Sequence, residues 1–154
     1  MSLELKVPPP LVLLICVAAM FTVREVLPGF DLPLSRSLAS WVASGLAGFG
    51  ILIALLGVGE FRKATTTVDP RHPEKASALV CKGVYRYTRN PMYLGMLLCL
   101  AGLFVHLRSL PTGLLLPCFV LYMNRYQIAA EERAIQVRFG DSYADYRTRV
   151  RRWI

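Results

Sequence analysis

The feature that most constrains this chain is residues 37–59, a run of 23 residues without a charged side chain. About 20 apolar residues let an α-helix cross the ~30 Å hydrocarbon core of a bilayer. Charged residues make up only 18% of the chain, whereas soluble domains carry about a quarter. The run therefore predicts a transmembrane helix. It contains glycines that suit close helix packing in lipid: Gly45, Gly48, Gly50, Gly57 and Gly59.

Three further apolar runs are present. The first lacks the basic n-region of a secretory signal peptide, because Glu4 offsets Lys6, so we expect an uncleaved span. The fold class is predicted to be all-α: an integral membrane helical bundle with about four transmembrane helices, forming one domain over residues 1–154. The predicted spans are 9–27, 37–59, 91–107 and 110–125, with a loop at 60–90 and a tail at 126–154.

The basic residues indicate which way the bundle faces. The net charge is +8, and of 18 lysines and arginines seven lie in residues 60–89 and seven in 125–154. Because basic residues concentrate in cytoplasmic segments, the long loop and the tail are predicted to be cytoplasmic. The apolar runs between the basic clusters make the charge a topology signal, which argues against a nucleic-acid partner. The cysteines and histidines are too scattered to predict a metal site.

Beyond the fourth span the chain is expected to stay helical through Phe139, with Gly140 as the C-cap. A last helix, SYADYRTRVRRW, is predicted to be basic and amphipathic, which suits a membrane surface. Packing of this helix against the cytoplasmic loop is an alternative, and the two are compatible. Its apolar side chains share one face at helical spacing: Tyr143, Tyr146, Val150 and Trp153.

Two polar clusters are predicted at the cytoplasmic end: GVYRYTRNPMYLG at residues 83–95, and the pair Glu131 and Glu132. The short connection between the last two spans predicts an antiparallel hairpin that brings both clusters together. Asn124, Gln127 and Glu131 follow i, i+3, i+7 spacing and so line one helix face. Taken singly, the tyrosines fit an aromatic belt and the acids fit solvated ion pairs. Together they favour a polar cavity at the membrane boundary.

With EERAIQVRFGDSYADYRTRVRRWI, the 83–95 segment closely resembles the isoprenylcysteine carboxyl methyltransferase family, to which the phospholipid N-methyltransferases are related. The family pattern is G-x-Y, Arg-His/Asn-Pro-x-Tyr, Glu-Glu, Phe-Gly-x-x-Tyr-x-x-Tyr and Arg-Val, and all appear here in order over residues 65–153. The resemblance implies a methyltransferase of the bacterial inner membrane with its active site facing the cytoplasm. It also implies that S-adenosylmethionine binds in a non-Rossmann pocket and leaves as S-adenosylhomocysteine.

The resemblance further implies site residues. Candidate cofactor contacts are Ser77, Ala78, Leu79, Val80, Tyr85, Asn90, Pro91, Met92, Tyr93 and Glu131. Candidate catalytic and substrate-side residues are Glu131, Glu132, Gln127 and Arg125. A carboxylate or aromatic face stabilises a sulfonium cation, and either glutamate acts as a general base only if its pKa is raised.

The sequence departs from the prenylcysteine enzymes at two positions. Asn90 replaces a histidine, and Gln127 stands where those enzymes have a substrate-side arginine, with Arg125 on another helix face. Both weaken the case for a carboxylate acceptor held at that point. The expected partners are a lipophilic or lipid-anchored acceptor and membrane lipid, while the acceptor's identity and the oligomeric state stay open. A non-enzymatic membrane accessory protein with a vestigial pocket is the alternative function. A small transporter is disfavoured, because inverted repeats and charges deep in the spans are absent.

Overall fold

The computed structural model describes residues 4–65 and 77–154. Over these residues the chain is helical, and its β-type pairing is one isolated bridge between Asp31 and Ser109, so the all-α prediction is confirmed there. The helices are α1 Pro9–Val26, α2 Arg36–Lys63, α3 Pro91–Leu107, α4 Leu115–Tyr122, α5 Ala129–Phe139 and α6 Asp141–Arg149. Two 3₁₀ turns, Gly83–Arg86 and Leu110–Leu114, precede α3 and α4, and a π-helical turn, Met123–Ile128, joins α4 to α5.

Two of the described helices, α1 and α2, are long and apolar enough to cross a membrane. Helix α3 is apolar but shorter, with 17 residues, and the fourth apolar run is divided between a 3₁₀ turn, α4 and the π-helical turn. The count of four spans therefore stays a prediction. Large apolar side chains on the outside of α1 and α2 are exposed, as expected of surfaces that face lipid: Leu14, Ile15, Trp41, Phe49 and Leu55.

The helix ends differ from the predicted ends in two places. Helix α2 continues past Gly59 to Lys63, because the charged residues that follow the apolar run are themselves good helix formers. Helix α6 ends at Arg149 rather than Trp153, and Val150 is extended with φ −126°. The continuation of the fourth helix to Phe139 and the break at Gly140 are confirmed, with φ +51° at the glycine. Pro117 lies in the first turn of α4, where its missing N–H costs no helical hydrogen bond.

Helices α2 and α3 form the closest contact in the bundle, backbone to backbone. A Cβ added to Gly50 would lie 2.6 Å from the carbonyl oxygen of Gly95 and 2.9 Å from the Cβ of Leu98. Gly57 packs on Pro91 at the start of α3. The predicted role of glycine in helix packing is thus confirmed for Gly50 and Gly57. The other three glycines of the run have open space around them.

Replacing Gly50 with alanine is expected to destabilise the protein by about 1–3 kcal/mol, because the added methyl group overpacks a backbone contact. The matched control is Gly48→Ala on the same helix, where an added Cβ meets no atom within 4 Å. That control is expected to be neutral or to stabilise by up to about 1 kcal/mol. Thermal unfolding of the detergent-purified variants, read as Tm, measures both. Equal Tm values for the two variants would contradict the close approach of α2 and α3.

Two hydrophobic clusters hold the fold together. The larger lies among α1, α3 and the α4–α5 helix and buries Met20, Leu100, Phe119, Met123 and Ile128. The smaller consists of Tyr143, Tyr146 and Val150, packed against Leu79, Cys81, Ile135 and Phe139. The second cluster confirms that the last helix packs back on the loop. Trp153 leaves this face and packs on the larger cluster instead.

Candidate functional site

A hydrogen-bonded trio links the start of α3 to the start of α5. The Tyr93 hydroxyl donates to Oε1 of Glu131, and Nε2 of Gln127 donates to the same oxygen over 2.6 Å. Tyr93 and Gln127 are buried, with 5% and 2% of their surface exposed. The predicted meeting of the 83–95 segment with the glutamate pair therefore occurs. We call Tyr93, Gln127 and Glu131 the Glu131 cluster.

The π-helical turn sets the geometry of this cluster. It spans Met123–Ile128 and carries Gln127, and π turns inside α-helices are frequent at functional sites. Asn124 was predicted to share a face with Gln127 and Glu131. Its Oδ1 instead accepts a hydrogen bond from Nε1 of Trp153 at 3.0 Å. The three polar residues therefore do not act together. Asn124 bonds to Trp153 in the tail, whereas Gln127 bonds to Glu131.

Glu131 is held in a state in which it can gain or lose a proton near neutral pH. The pKa of its carboxyl is raised to about 7, chiefly by burial; hydrogen bonds from Tyr93 and Gln127 lower the pKa, and the charge of Glu132 raises it. Both of these hydrogen-bond donors are neutral. The carboxylate charge of Glu131 is therefore available to a cationic ligand.

Glu132 has the opposite environment. Burial alone would raise its pKa, but hydrogen bonds and charges from Arg152 and Arg89 outweigh burial and lower the pKa. Nη2 of Arg89 donates to Oε1 at 2.7 Å, and Nη2 of Arg152 donates to Oε2 at 2.5 Å. Two cations thus neutralise this carboxylate. Adjacent acids whose environments push their pKa values apart are suited to different roles. The role that suits Glu132 is to stabilise the fold through its two ion pairs.

The C-terminal segment of residues 150–153 lies across the 88–90 segment, and we call it the strap. Nδ2 of Asn90 donates to the Arg152 carbonyl at 2.9 Å, and the Arg89 N–H donates to the Arg151 carbonyl at 3.0 Å. The Thr88 hydroxyl donates to the same Arg152 carbonyl at 3.3 Å. Asn90 therefore positions the start of α3 through the strap, and its contact with a cofactor stays a prediction.

Tyr85 lies beside the Glu131 cluster. Burial raises its pKa, and the charges of Tyr146, Glu131 and Glu60 raise it further. Its ring contacts Phe61 edge-on at a centroid distance of 5.5 Å, and its carbonyl accepts a hydrogen bond from the Tyr146 hydroxyl at 2.7 Å. Tyr85 is thus fixed between α2 and α6. It lies close enough to the carboxylates of Glu131 and Glu60 for their charges to raise its pKa.

Sequence reasoning missed Glu60. This residue lies in the last turns of α2, with 15% of its side chain exposed. A Cβ added to Gly83 would lie 2.6 Å from its carboxyl carbon, so the 3₁₀ turn packs directly on the acid, with Gly83 at φ +59°. The available signal is the position of Glu60 immediately after the uncharged run. The sequence prediction places this residue in the 60–90 loop rather than in α2.

The remaining predicted residues divide between the Glu131 cluster and other places. Met92 packs on the larger hydrophobic cluster and Pro91 is buried against Gly57. Leu79 packs on the Tyr143–Tyr146 cluster, Val80 is buried and Ala78 is half-buried. Ser77 is exposed and its hydroxyl donates to the Thr65 carbonyl at 3.2 Å. Arg125 is exposed, with its guanidinium 5.9 Å from the Tyr126 ring centroid. The predicted loop at 60–90 also contains residues 66–76, which lie outside the described residues.

Comparison with known proteins then identifies the family. The sequence profile of the phospholipid methyltransferases matches residues 38–142, more than half of the chain. The chain belongs to the phospholipid methyltransferase family. The predicted resemblance is therefore confirmed, and with it a methyltransferase at the level of the family. The matched region includes the Glu131 cluster and both residues of the glutamate pair.

Two relatives of this phospholipid methyltransferase family member are informative. An uncharacterized protein of Haemophilus influenzae is 40% identical over 63 residues, which cover 41% of this chain and all of that protein. The protein-S-isoprenylcysteine O-methyltransferase of Schizosaccharomyces pombe is 33% identical over 76 residues. This second match covers 49% of this chain and 32% of the yeast enzyme, so this chain matches about a third of that enzyme's length. No solved structure matches the chain.

Proposed function

We propose that this protein transfers a methyl group from S-adenosylmethionine to a lipophilic acceptor at the cytoplasmic face of the membrane. The carrying observation is Glu131, a half-buried carboxylate whose hydrogen-bond donors in the cluster are both neutral. Such a group suits a cationic ligand, because its charge is not already neutralised by an arginine. The family supports the reaction class, and this geometry supports Glu131 as the partner of the cation.

The residues of the site fit this cofactor by their chemistry. S-adenosylmethionine, when bound, supplies a methyl group carried on a sulfonium cation. Glu131 is the candidate partner for the positive charge, and Tyr85 and Tyr93 offer aromatic surface beside it. Met92 and the buried Val80 offer apolar surface for an adenine ring. Within the candidate segment 77–80, Leu79 packs on the cluster of Tyr143, Tyr146 and Val150 and so joins this segment to α6.

The chain's own contribution to the reaction is orientation and electrostatics. Tyr93 and Gln127 both donate to Oε1 of Glu131 and so fix the carboxylate, which then does not have to reorganise when a cation arrives. In-line displacement requires the acceptor atom and the methyl carbon to be held close and aligned, which supplies much of the rate. Gln127 is neutral, which favours an acceptor without a fixed negative charge, such as a lipid amine, over a carboxylate. The position of the cluster at the start of α3 suits an acceptor that arrives from the bilayer.

Calorimetric titration of the purified full chain with S-adenosylhomocysteine tests cofactor binding. We expect saturable binding with Kd in the micromolar range. Glu132 and Arg152 are expected to matter only through folding, so variants at these positions that remain folded should still bind. Absence of binding at high micromolar ligand would overturn the proposal. That result would favour the alternative, a non-enzymatic membrane accessory protein.

A further inference from the structure

The opposite end of the bundle holds a second polar site. Fourteen of the 18 basic residues lie in residues 60–89 or 125–154, and the other four are Lys6, Arg24, Arg36 and Arg108. The three arginines of this group line one cavity of about 320 Å³, together with Ser40, His106 and Leu107. Arg36 starts α2 and Arg108 follows α3, whereas Glu60 and Tyr93 lie at the other ends of these helices. The two sites are therefore about 20 Å or more apart along α3.

Arg108 is held in place by its backbone. It caps α3 with φ +52° and ψ +36°, the left-handed conformation that helix C-termini usually give to glycine. Its carbonyl accepts the Leu32 N–H at 2.8 Å, and the Leu110 N–H donates to the Phe30 carbonyl at 2.8 Å. The chain thus has an arginine where glycine would fit with less backbone strain, which supports a role for the arginine side chain.

The Arg108 guanidinium also has unused hydrogen-bonding capacity. Its Nε is buried and has no acceptor within the described parts of the chain. A buried donor without a partner is costly. An anion in the cavity beside it would provide the acceptor.

The cavity carries an excess of positive charge. Among the residues that the structure describes, the lining includes no carboxylate, and the neighbouring Asp31 forms an ion pair with Arg24. Arg36 lies in the first turn of α2, which contains no acidic residue. A cation at a helix N-terminus is opposed by the helix dipole, and a bound anion would offset both charges.

We propose that this cavity binds a phosphate group, carried either on a lipid headgroup or as the free ion. Arginine guanidinium groups match phosphate oxygens with paired, charge-assisted hydrogen bonds. Arg36 and Arg108 are the principal ligands, Arg24 shares its charge with Asp31, and Ser40 and His106 complete the polar lining. The site lies at the far end of the bundle from the Glu131 cluster and binds its anion independently of methyl transfer.

The test uses the full chain in neutral detergent, titrated calorimetrically with sodium phosphate or with dihexanoyl phosphatidylglycerol. Sodium chloride at equal ionic strength serves as the blank. Arg108→Gly removes the guanidinium but relaxes the backbone, so its Tm without ligand is expected to be unchanged or higher. Arg36→Gln removes the second ligand. Arg62→Gln, an exposed arginine near the other end of α2, is the matched control.

We expect Arg108→Gly and Arg36→Gln each to weaken binding about tenfold or more, while Arg62→Gln leaves it unchanged. Binding of the phospholipid alone supports the site and assigns it to a headgroup. Equal binding of inorganic phosphate supports it as a free-phosphate site. Two results overturn the proposal: no saturable binding of either probe, or equal affinity in Arg108→Gly and Arg62→Gln.

Discussion

Replacing Glu131 with glutamine is expected to lower kcat/KM for methyl transfer by about 10- to 100-fold. The substitution keeps the shape of the side chain and removes its charge, and a hydrogen bond to a charged group contributes about 1.5–3 kcal/mol. Affinity for S-adenosylhomocysteine is expected to fall by about tenfold, because the amine of that ligand also carries a positive charge. Calorimetry and a labelled-methyl assay measure the two effects.

The matched control is Glu25→Gln, an exposed glutamate at the end of α1. It is expected to leave both quantities unchanged. Equal activity of Glu131→Gln and the wild type would remove Glu131 from the site. A large fall in Tm in Glu131→Gln would instead make its role structural.

The raised pKa of Glu131 also predicts a pH dependence of stability. The folded pKa is about 7 and the unfolded reference value is 4.5, so the folded state binds the extra proton between these values. The free energy of unfolding therefore decreases as pH rises from about 4.5 through 7, by on the order of 3 kcal/mol. Cofactor affinity has the opposite trend, because the cation needs the ionised carboxylate. Thermal melts from pH 5 to 8 should show this slope in the wild type and a smaller one in Glu131→Gln.

Replacing Glu132 with alanine is expected to destabilise the protein by about 2–4 kcal/mol. The change leaves Arg89 and Arg152 without their carboxylate, and removing one partner of a buried ion pair is strongly destabilising. The loss is smaller than for a fully buried pair, because a third of the Arg152 side chain is exposed to solvent. Release of the strap would also free Asn90 and the start of α3, so activity is expected to fall together with Tm.

Arg152→Ala and Arg151→Ala separate this network from the general basic charge of the tail. Arg152 donates to both oxygens of Glu132, whereas Arg151 is exposed. Thermal unfolding is expected to show a lower Tm for Arg152→Ala and an unchanged Tm for Arg151→Ala. Equal Tm values would mean that the strap is held by charge in general rather than by the Glu132 contacts.

The sequence allowed the helices and the meeting of Tyr93 with Glu131 to be predicted, because apolar run length and motif order are local properties. It did not allow the separate roles of Glu131 and Glu132 to be predicted. Two adjacent acids look alike in sequence, and only the fold brings Arg89 and Arg152 to one of them. The separation of Asn124 from Gln127 and Glu131 has a similar cause. Regular α-helical spacing predicts one shared face for the three residues, and the π-helical turn changes that spacing.

The end of the chain shows the same limit. Helical spacing placed Trp153 with Tyr143, Tyr146 and Val150, but the helix ends at Arg149. Hydrogen bonds from Arg89 and Asn90 to the strap compete with continued helix, and periodicity within α6 carries no information about them. Glu60 was missed for the related reason that its neighbour, Gly83, is distant in sequence.

The most direct measurement is transfer of a labelled methyl group from S-adenosylmethionine into a native membrane lipid extract by the purified full chain. We predict a labelled product that partitions with the lipids, formed by the wild type and by Glu25→Gln, and reduced about 10- to 100-fold in Glu131→Gln. Absence of labelled lipid with the wild type, or equal labelling by wild type and Glu131→Gln, would contradict the account.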